Sequence, residues 1–398
     1  MIKKKILYLC PEVPYPQETG GQVAFNNHLR SLAKHFIVDA IFLDVEGEKK
    51  HIPKDLADSI NSYKIFNRRF RRGSGVIGLL AAAYLFIRYK FPRAYSVRIN
   101  KEAKRHISQI IESYEAVICD HFTAFAFLEQ NVDIKKIYIA HNVEANVLRD
   151  QYKAENNYIK KLVYHIEYYR TKILENNIIR QSDKIVTISL SDLEFFNEIK
   201  GQAMLYNIAE VLPMNPERWR YNNDKVITFL GGTNYFPNYD AVKWIVEKLH
   251  PALKVKERIT IQIIGKTSNL LKENPFYLEY ADIQFLGFVP DIDLDRILLK
   301  SSVFISPIVY GSGIKIKVLK AISMGIPVFC TQESFFGIEY LENQQQLVFN
   351  REDVKDTVNK LIALLDNKEE LEELSAFITD QSLKQHRSTE ILWQTIIA

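Results

Sequence analysis

Ten runs of five to eight residues recur along the chain, each apolar at nearly every position: "KILYLC", "VDAIFLDV", "AVICD", "KIYIAHN", "KIVTIS", "VITFLGG", "ITIQIIG", "IQFLGFV", "VFISPI" and "IPVFCT". A half-exposed strand alternates apolar with polar residues, so a run apolar throughout needs cover on both faces. Stretches with helical periodicity separate most of these runs, and helices laid on both faces of a parallel sheet supply that cover. The fold class is therefore α/β and doubly wound, and all-helical or all-β architectures are excluded.

At 398 residues the chain exceeds one ordinary domain. The polar break "LPMNPERWRYNND" at 212 to 224 precedes a new strand, which sets an N-terminal domain at 1–211 and a second at 212–379. Residues 151 to 181 carry a charged, aromatic pattern of helical period and predict one long exposed helix. A net charge of +4 argues against a nucleic-acid binder while leaving room for local basic patches. Cys10, Cys119 and Cys330 sit in separate apolar runs without paired or metal-ligand spacing, as reduced core residues of a cytoplasmic protein would.

Two segments touch on membranes. The start "MIKKKILYLC" is basic then apolar, but its apolar run is too short for a signal peptide and predicts the first strand. Residues 75 to 87, "GVIGLLAAAYLFI", follow "RRFRR" and fall short of the ~20 residues that span a bilayer. Two readings of them stand. One is a buried helix with a solvated flank; the other is peripheral attachment to an anionic membrane through Arg68, Arg69, Arg71 and Arg72 beside Phe66 and Phe70.

Two loops follow strands and open helices. In "ETGGQVAFNNHLRSLAKHF", Gly20 and Gly21 let backbone amides approach a ligand at a helix N-terminus, where an anion fits, although capping alone also explains the turn. In "YGSGIKIKVLKAISMGIPV", Gly311 and Gly313 precede a helix from about Ile314 that gathers Lys315, Lys317 and Lys320 near its start. Lysines there oppose the helix dipole by some tenths of a kcal/mol each, unless an anion offsets them.

The chain resembles the nucleotide-sugar-dependent glycosyltransferases of GT-B architecture, in particular the large retaining group of bacterial surface-polysaccharide synthesis. The resemblance runs through "PYPQETGGQ", "DHF" at 120 to 122, "AHNVE" at 140 to 144, "SDKIVTIS", "FLGGTNYFPNYDAVKWIVEKLHP", "FLGFVPDID" and "GSGIKIKVLKAISMGIPVFCT", in that order. It implies two facing Rossmann-like domains with a cleft between them and a final helix, 380–398, crossing back to the first domain. It further implies sugar transfer from a nucleotide-diphosphate sugar to a glycan or lipid-linked acceptor, with retention. The implied partners are the nucleotide sugar and the acceptor, with no nucleic acid and no metal; no cation motif is evident.

Carried over residue by residue, the resemblance places Gly20 and Gly21 on the donor diphosphate. Gly232, Asn234, Phe288, Val289, Gly311, Ser312, Gly313 and Ile314 fall on donor-binding segments, and Lys315 and Lys317 within reach of phosphates. His121 falls where the transferred sugar or acceptor is lined, and His141, Asn142 and Glu144 on the acceptor side; His121, Gly21 and Lys317 are the implied catalytic set. For each histidine a purely structural strand-end role stays open. One departure stands out. Many members carry two glutamates eight positions apart, and here those positions hold Ser312 and Lys320. An ammonium has no acceptor for ribose hydroxyls, so Lys320 is expected to reach a phosphate, an acid such as Glu333 or Glu339, or solvent. It also raises the alternative of a catalytically silent GT-B-like partner subunit.

Overall fold

The computed structural model describes residues 3–17, 19–45, 51–68, 90–129, 132–155, 157–208, 212, 214–254, 259–310, 314–341 and 347–397. It divides into two compact units, Met1–Ala209 with Thr389–Ala398, and Glu210–Ser388. The first unit holds strands β1 (Lys5–Cys10), β2 (Ile37–Val45), β3 (Ser62–Arg68), β4 (Ala116–Asp120), β5 (Lys135–Ala140), β6 (Lys184–Thr187) and β7 (Met204–Asn207). They form one parallel sheet in the order β3-β2-β1-β4-β5-β6-β7. The second unit holds β8 (Val226–Leu230), β9 (Thr260–Ile264), β10 (Ile283–Gly287), β11 (Val303–Ser306) and β12 (Val328–Cys330), also parallel, in the order β10-β9-β8-β11-β12.

In each sheet the strand order reverses once, between β1 and β4 and between β8 and β11. The loops leaving the two strands there diverge, which opens a crevice at their C-terminal ends where doubly wound folds bind ligands. Central strands β1, β4 and β5 are buried over most of their length, as runs apolar on both faces require. β3 and β7 lie outside the ten apolar runs. They are the sheet edges, where Ser62, Tyr63, Lys64 and Met204 stay exposed and continuous hydrophobicity is not needed.

Helix α1 (Gly20–His35) starts with a capping box: Thr19 Oγ1 accepts from the Gln22 amide at 3.3 Å, and Gln22 Oε1 accepts from the Thr19 amide at 3.1 Å. The single helix expected over 151–181 is instead two, α2 (Glu144–Ala154) and α3 (Tyr158–Gln181). The break comes because Asn157 caps α3, its side chain accepting from the amides of Ile159 and Lys160 at 3.1 Å each. Nor is α3 exposed all round, since Thr171, Leu174, Ile178 and Ile179 are buried.

In the second unit, α4 (Phe236–Trp244) follows β8, α5 (Asp291–Leu299) follows β10, and α6 (Ile316–Ser323) follows β11. α6 begins two residues later than the sequence suggests, with Lys315 at its N-cap. The final helix α7 (Lys368–Ile397) starts in the second unit, and its residues from Thr389 on belong to the first. Residues 380–388, expected with the first unit, stay with the second because Ile378 and Ser382 are buried there, with Ser382 Oγ 3.1 Å from Met214 Sδ. Residues 69–89 lie outside the described residues, and with them Arg69, Arg71, Arg72 and the 75–87 segment; Arg68 ends β3. Among the described residues no helix is long and apolar enough to cross a membrane.

Candidate functional site

In the first unit, the reversal point is built around Asp120, the last residue of β4, which is fully buried. Tyr8 of β1 donates its hydroxyl to Asp120 Oδ2 at 2.5 Å, His28 of α1 places Nδ1 2.8 Å from the same oxygen, and His141 after β5 places Nε2 2.6 Å from Oδ1. Burial alone would raise the Asp120 pKa, but the two imidazoles outweigh it and hold the carboxyl below the usual carboxylate range. His28, Asp120 and His141 offer metal-ligand atoms within 4.8 Å of one another. Both Asp120 oxygens are already engaged by the imidazoles and the Tyr8 hydroxyl, which makes the group a closed hydrogen-bond network. His28 also packs edge-on against Trp393 of α7, ring centroids 6.0 Å apart.

Beside it sits His121, the one non-glycine residue with positive φ (85°) among the described residues. Such a backbone costs about 1–3 kcal/mol and persists only where surroundings enforce it. Its Nδ1 accepts from the Thr123 amide at 3.4 Å and lies 2.8 Å from Thr123 Oγ1, so the ring proton resides on Nε2, 3.2 Å from Glu144 Oε1. Glu144 is pushed up by burial, yet the His121 imidazole and its hydrogen bond, with His141 and Asn142, bring its pKa below the ordinary glutamate value. Behind it, Glu175 of α3 accepts from the amides of Glu144 and Ala145 at 2.9 and 3.3 Å. Burial pushes Glu175 up to about 8, and the Glu144 charge adds to this.

His121, His141, Asn142 and Glu144 thus form one cluster at the ends of β4 and β5. Sequence reasoning missed Tyr8 and His28. A signal for His28 lay in "FNNH", since Asn26, Asn27 and His28 are all buried despite being polar. Gly20 and Gly21 are the first two residues of α1. A Cβ on Gly21 would meet nothing nearer than 3.8 Å, so packing does not demand glycine there.

In the second unit, Lys317 of α6 reaches the loop after β8. Its Nζ donates to Asn238 Oδ1 of α4 and stands 4.8 Å from the centre of the Phe229 ring. Asn238 in turn donates to the Gly232 carbonyl at 3.0 Å. A Cβ on Gly231 would lie 2.6 Å from Lys317 Nζ and 2.8 Å from Asn238 Cγ, so only glycine leaves room for this contact. The neighbouring strand end is as tight: Gly265 has φ +133°, and a Cβ there would sit 2.6 Å from the Gly231 carbonyl carbon.

Burial first, and the nearby Lys315 charge second, bring the Lys317 ammonium down to about 7. Lys315 falls to about 8 through burial, with Glu333 partly restoring it. The sheet's C-terminal edge therefore holds two desolvated cations. Asn234 is exposed in the same loop, Val289 is half-buried after β10, and Phe288, 70% exposed, lies with Lys266 Nζ 5.5 Å from its ring. Ile314 packs against Gly337, where a Cβ would meet it at 2.2 Å. Gly311, Ser312 and Gly313 lie outside the described residues.

Lys320 turns elsewhere. Its Nζ is 2.6 Å from Asp295 Oδ1 of α5, and Asn215 donates to the other oxygen of Asp295 at 2.7 Å. The expected pairing with Glu333 or Glu339 is thus replaced by Asp295, and Lys320 is engaged in an ion pair between α6 and α5.

Both units have the parallel, reversing sheets of GT-B enzymes, and solved structures agree over nearly the whole chain. Sucrose-phosphate synthase from Thermosynechococcus elongatus matches with TM-score 0.70 at 11% identity, over 99% of this chain and 98% of that one. TarM of S. aureus, in complex with Fondaparinux, α-GlcNAc-glycerol and UDP, matches with TM-score 0.67 at 10% identity, over 99% of each chain. The fold is GT-B. Residues 224–367 match the family described as Glycosyl transferases group 1. An uncharacterized 44.6 kDa protein in the cps region of Klebsiella pneumoniae is 22% identical over 355 residues, covering 87% of this chain and 88% of that protein. Residues 224–367 of the second unit thus carry a glycosyl transferases group 1 domain, and the chain is a glycosyltransferase.

Proposed function

We propose that the chain transfers a sugar from a nucleotide-diphosphate sugar to a glycan or lipid-linked acceptor, with retention of configuration. The observation that carries this reading is Lys317: an ammonium desolvated at the β8–β11 reversal point and lowered to about 7. It is costly to bury unless a ligand brings negative charge. A diphosphate does so. As the glycosidic bond breaks, charge grows on the leaving phosphate oxygen, and a fixed cation favours that state over the ground state. Lys317 takes this catalytic role, Lys315 supports it, and the backbone at Gly231 and Gly232 approaches the phosphates; in the first unit the amides at Gly20 and Gly21 open a helix N-terminus suited to an anion. Asn234, Phe288, Val289 and the Gly311–Ile314 segment complete the donor side.

His121 carries its proton on Nε2 toward Glu144, and with His141 and Asn142 forms the acceptor side, where carboxylate and imidazole orient sugar hydroxyls. With lysines supplying the positive charge, the reaction needs no metal and should survive chelator. Work in the cytoplasm at the membrane face, with contact through 68–87, is the setting this reading implies. The UDP in the TarM complex supports the donor class. Calorimetry with UDP, GDP, TDP and ADP, followed by incubation with the matching nucleotide sugars, tests the proposal. Micromolar binding of one diphosphate and its sugar's turnover are expected; failure to bind or turn over any of them would sink it.

A further inference from the structure

Helix α3 is apolar on two opposite sides. One side, Thr171, Leu174, Ile178 and Ile179, is buried in the first unit. On the other, Ile159, Leu162, Ile166, Tyr169 and Ile173 follow one another at steps of three and four residues, which lines them up along the helix. Ile159, Leu162 and Ile173 are 77%, 60% and 63% exposed, and Tyr169 is exposed too. A helix side that faces only water is normally polar, whereas a continuous apolar seam marks a surface that something covers.

The charges on the helix select the cover. Between Tyr158 and Gln181 stand Lys160, Lys161, Arg170, Lys172 and Arg180, against two acids, Glu167 and Glu175. Both acids are buried: Glu167 accepts from the Arg93 amide at 2.8 Å and pairs with Arg170 at 3.5 Å, and Glu175 caps α2. The outer side thus presents cations and no carboxylate. A second copy laid on this seam would set lysine against lysine, with no acid to pair them. An anionic lipid surface complements both features, taking the aliphatic side chains at the acyl boundary, the tyrosines among head groups and the cations against phosphates.

We propose that α3 lies along an anionic lipid surface, with the seam Ile159–Leu162–Ile166–Tyr169–Ile173 inserted. No residue assigned above to donor or acceptor lies on the seam, so this inference and the sugar-transfer reading stand or fall separately.

The test uses the full-length chain with vesicles of phosphatidylglycerol and phosphatidylcholine, and with phosphatidylcholine alone. A Leu162→Trp variant should show a blue-shifted emission increment, quenched by brominated acyl chains, with the anionic vesicles only. Binding through the separate 68–87 segment would give sedimentation without that signal. The combined change Ile159→Ser, Leu162→Ser and Ile173→Ser, all exposed positions, should keep the parental melting temperature and weaken vesicle binding about tenfold or more. Lys161→Gln with Lys172→Gln should weaken it several-fold and flatten its salt dependence. Absence of the shift and quenching, or unchanged sedimentation of the serine variant, overturns the proposal. So does a dimer in sedimentation equilibrium that the serine variant dissociates, which would make a second copy the occupant.

Discussion

At the strand ends of the first unit a buried carboxylate, Asp120, is met by a hydroxyl and two imidazoles, whereas at those of the second a desolvated ammonium, Lys317, is met by an amide oxygen and a phenyl ring. The first arrangement occupies both oxygens of its carboxylate with hydrogen-bond partners. The second leaves a cation with a neutral dipole, which costs stability; on the proposed sugar-transfer reading that cost is recovered when an anion arrives. The difference separates a network satisfied within the protein from one that, as proposed, is completed by a ligand.

That contrast is broken most directly at Asp120. Asp120→Ala should destabilise the first unit by about 3–5 kcal/mol in denaturant unfolding, because two buried imidazoles and a tyrosine hydroxyl lose their acceptor. A loss below about 1 kcal/mol would mean the network is not closed as described. Lys317→Met should do the opposite to stability, leaving it unchanged or raised. Its nucleotide-diphosphate affinity should nevertheless fall about tenfold to a hundredfold, or about 1.4–2.7 kcal/mol.

The same contrast appears with pH. Lys317 has its folded pKa lowered to about 7 from 10.5. Between those values the unfolded state binds the extra proton, so stability from this group rises with pH. Binding of a diphosphate favours the charged form, so affinity should weaken above about pH 7, approaching tenfold per unit. Calorimetry in buffers of different ionisation enthalpy should show proton uptake on binding, and Lys317→Met should abolish both trends. Asp120 has the same sign of slope in a lower window: with its pKa depressed, its stabilising contribution is complete above the ordinary aspartate value and is lost as the pH falls from there through the lowered folded value.

The smallest effect belongs to Lys320. It and Asp295 are each about one-third exposed, so Lys320→Ala should cost no more than about 1 kcal/mol. Nucleotide affinity should stay within about twofold. A larger loss of affinity would return Lys320 to the donor site and end the view of it as a structural pair.

The central strands were legible because burial on both faces leaves an uninterrupted apolar record, as in "AVICD". β3 and β7 were not, because an edge strand needs only one apolar face and tolerates Lys64 and Met204 in water. At the site, glycines and strand-end histidines flagged where chemistry could sit. What they could not show was pairing. Lys317 with Asn238, Lys320 with Asp295 and His28 with Asp120 join residues 79, 25 and 92 positions apart, and only the folded sheets bring them together. Asn157 shows a local limit of the same kind, since a helix-length pattern can hide a cap inside it.

The last turns of α7 give the molecule an order of assembly. Trp393 is buried beside His28, Lys184 donates to the Ile396 carbonyl at 2.7 Å, and Lys34 meets Glu390 at 2.5 Å. All of these close the first unit, yet Glu210–Ser388 must be synthesised before they exist. On the ribosome the second unit can therefore finish first, and the half of the chain made earliest waits for Thr389 onward to seal its core.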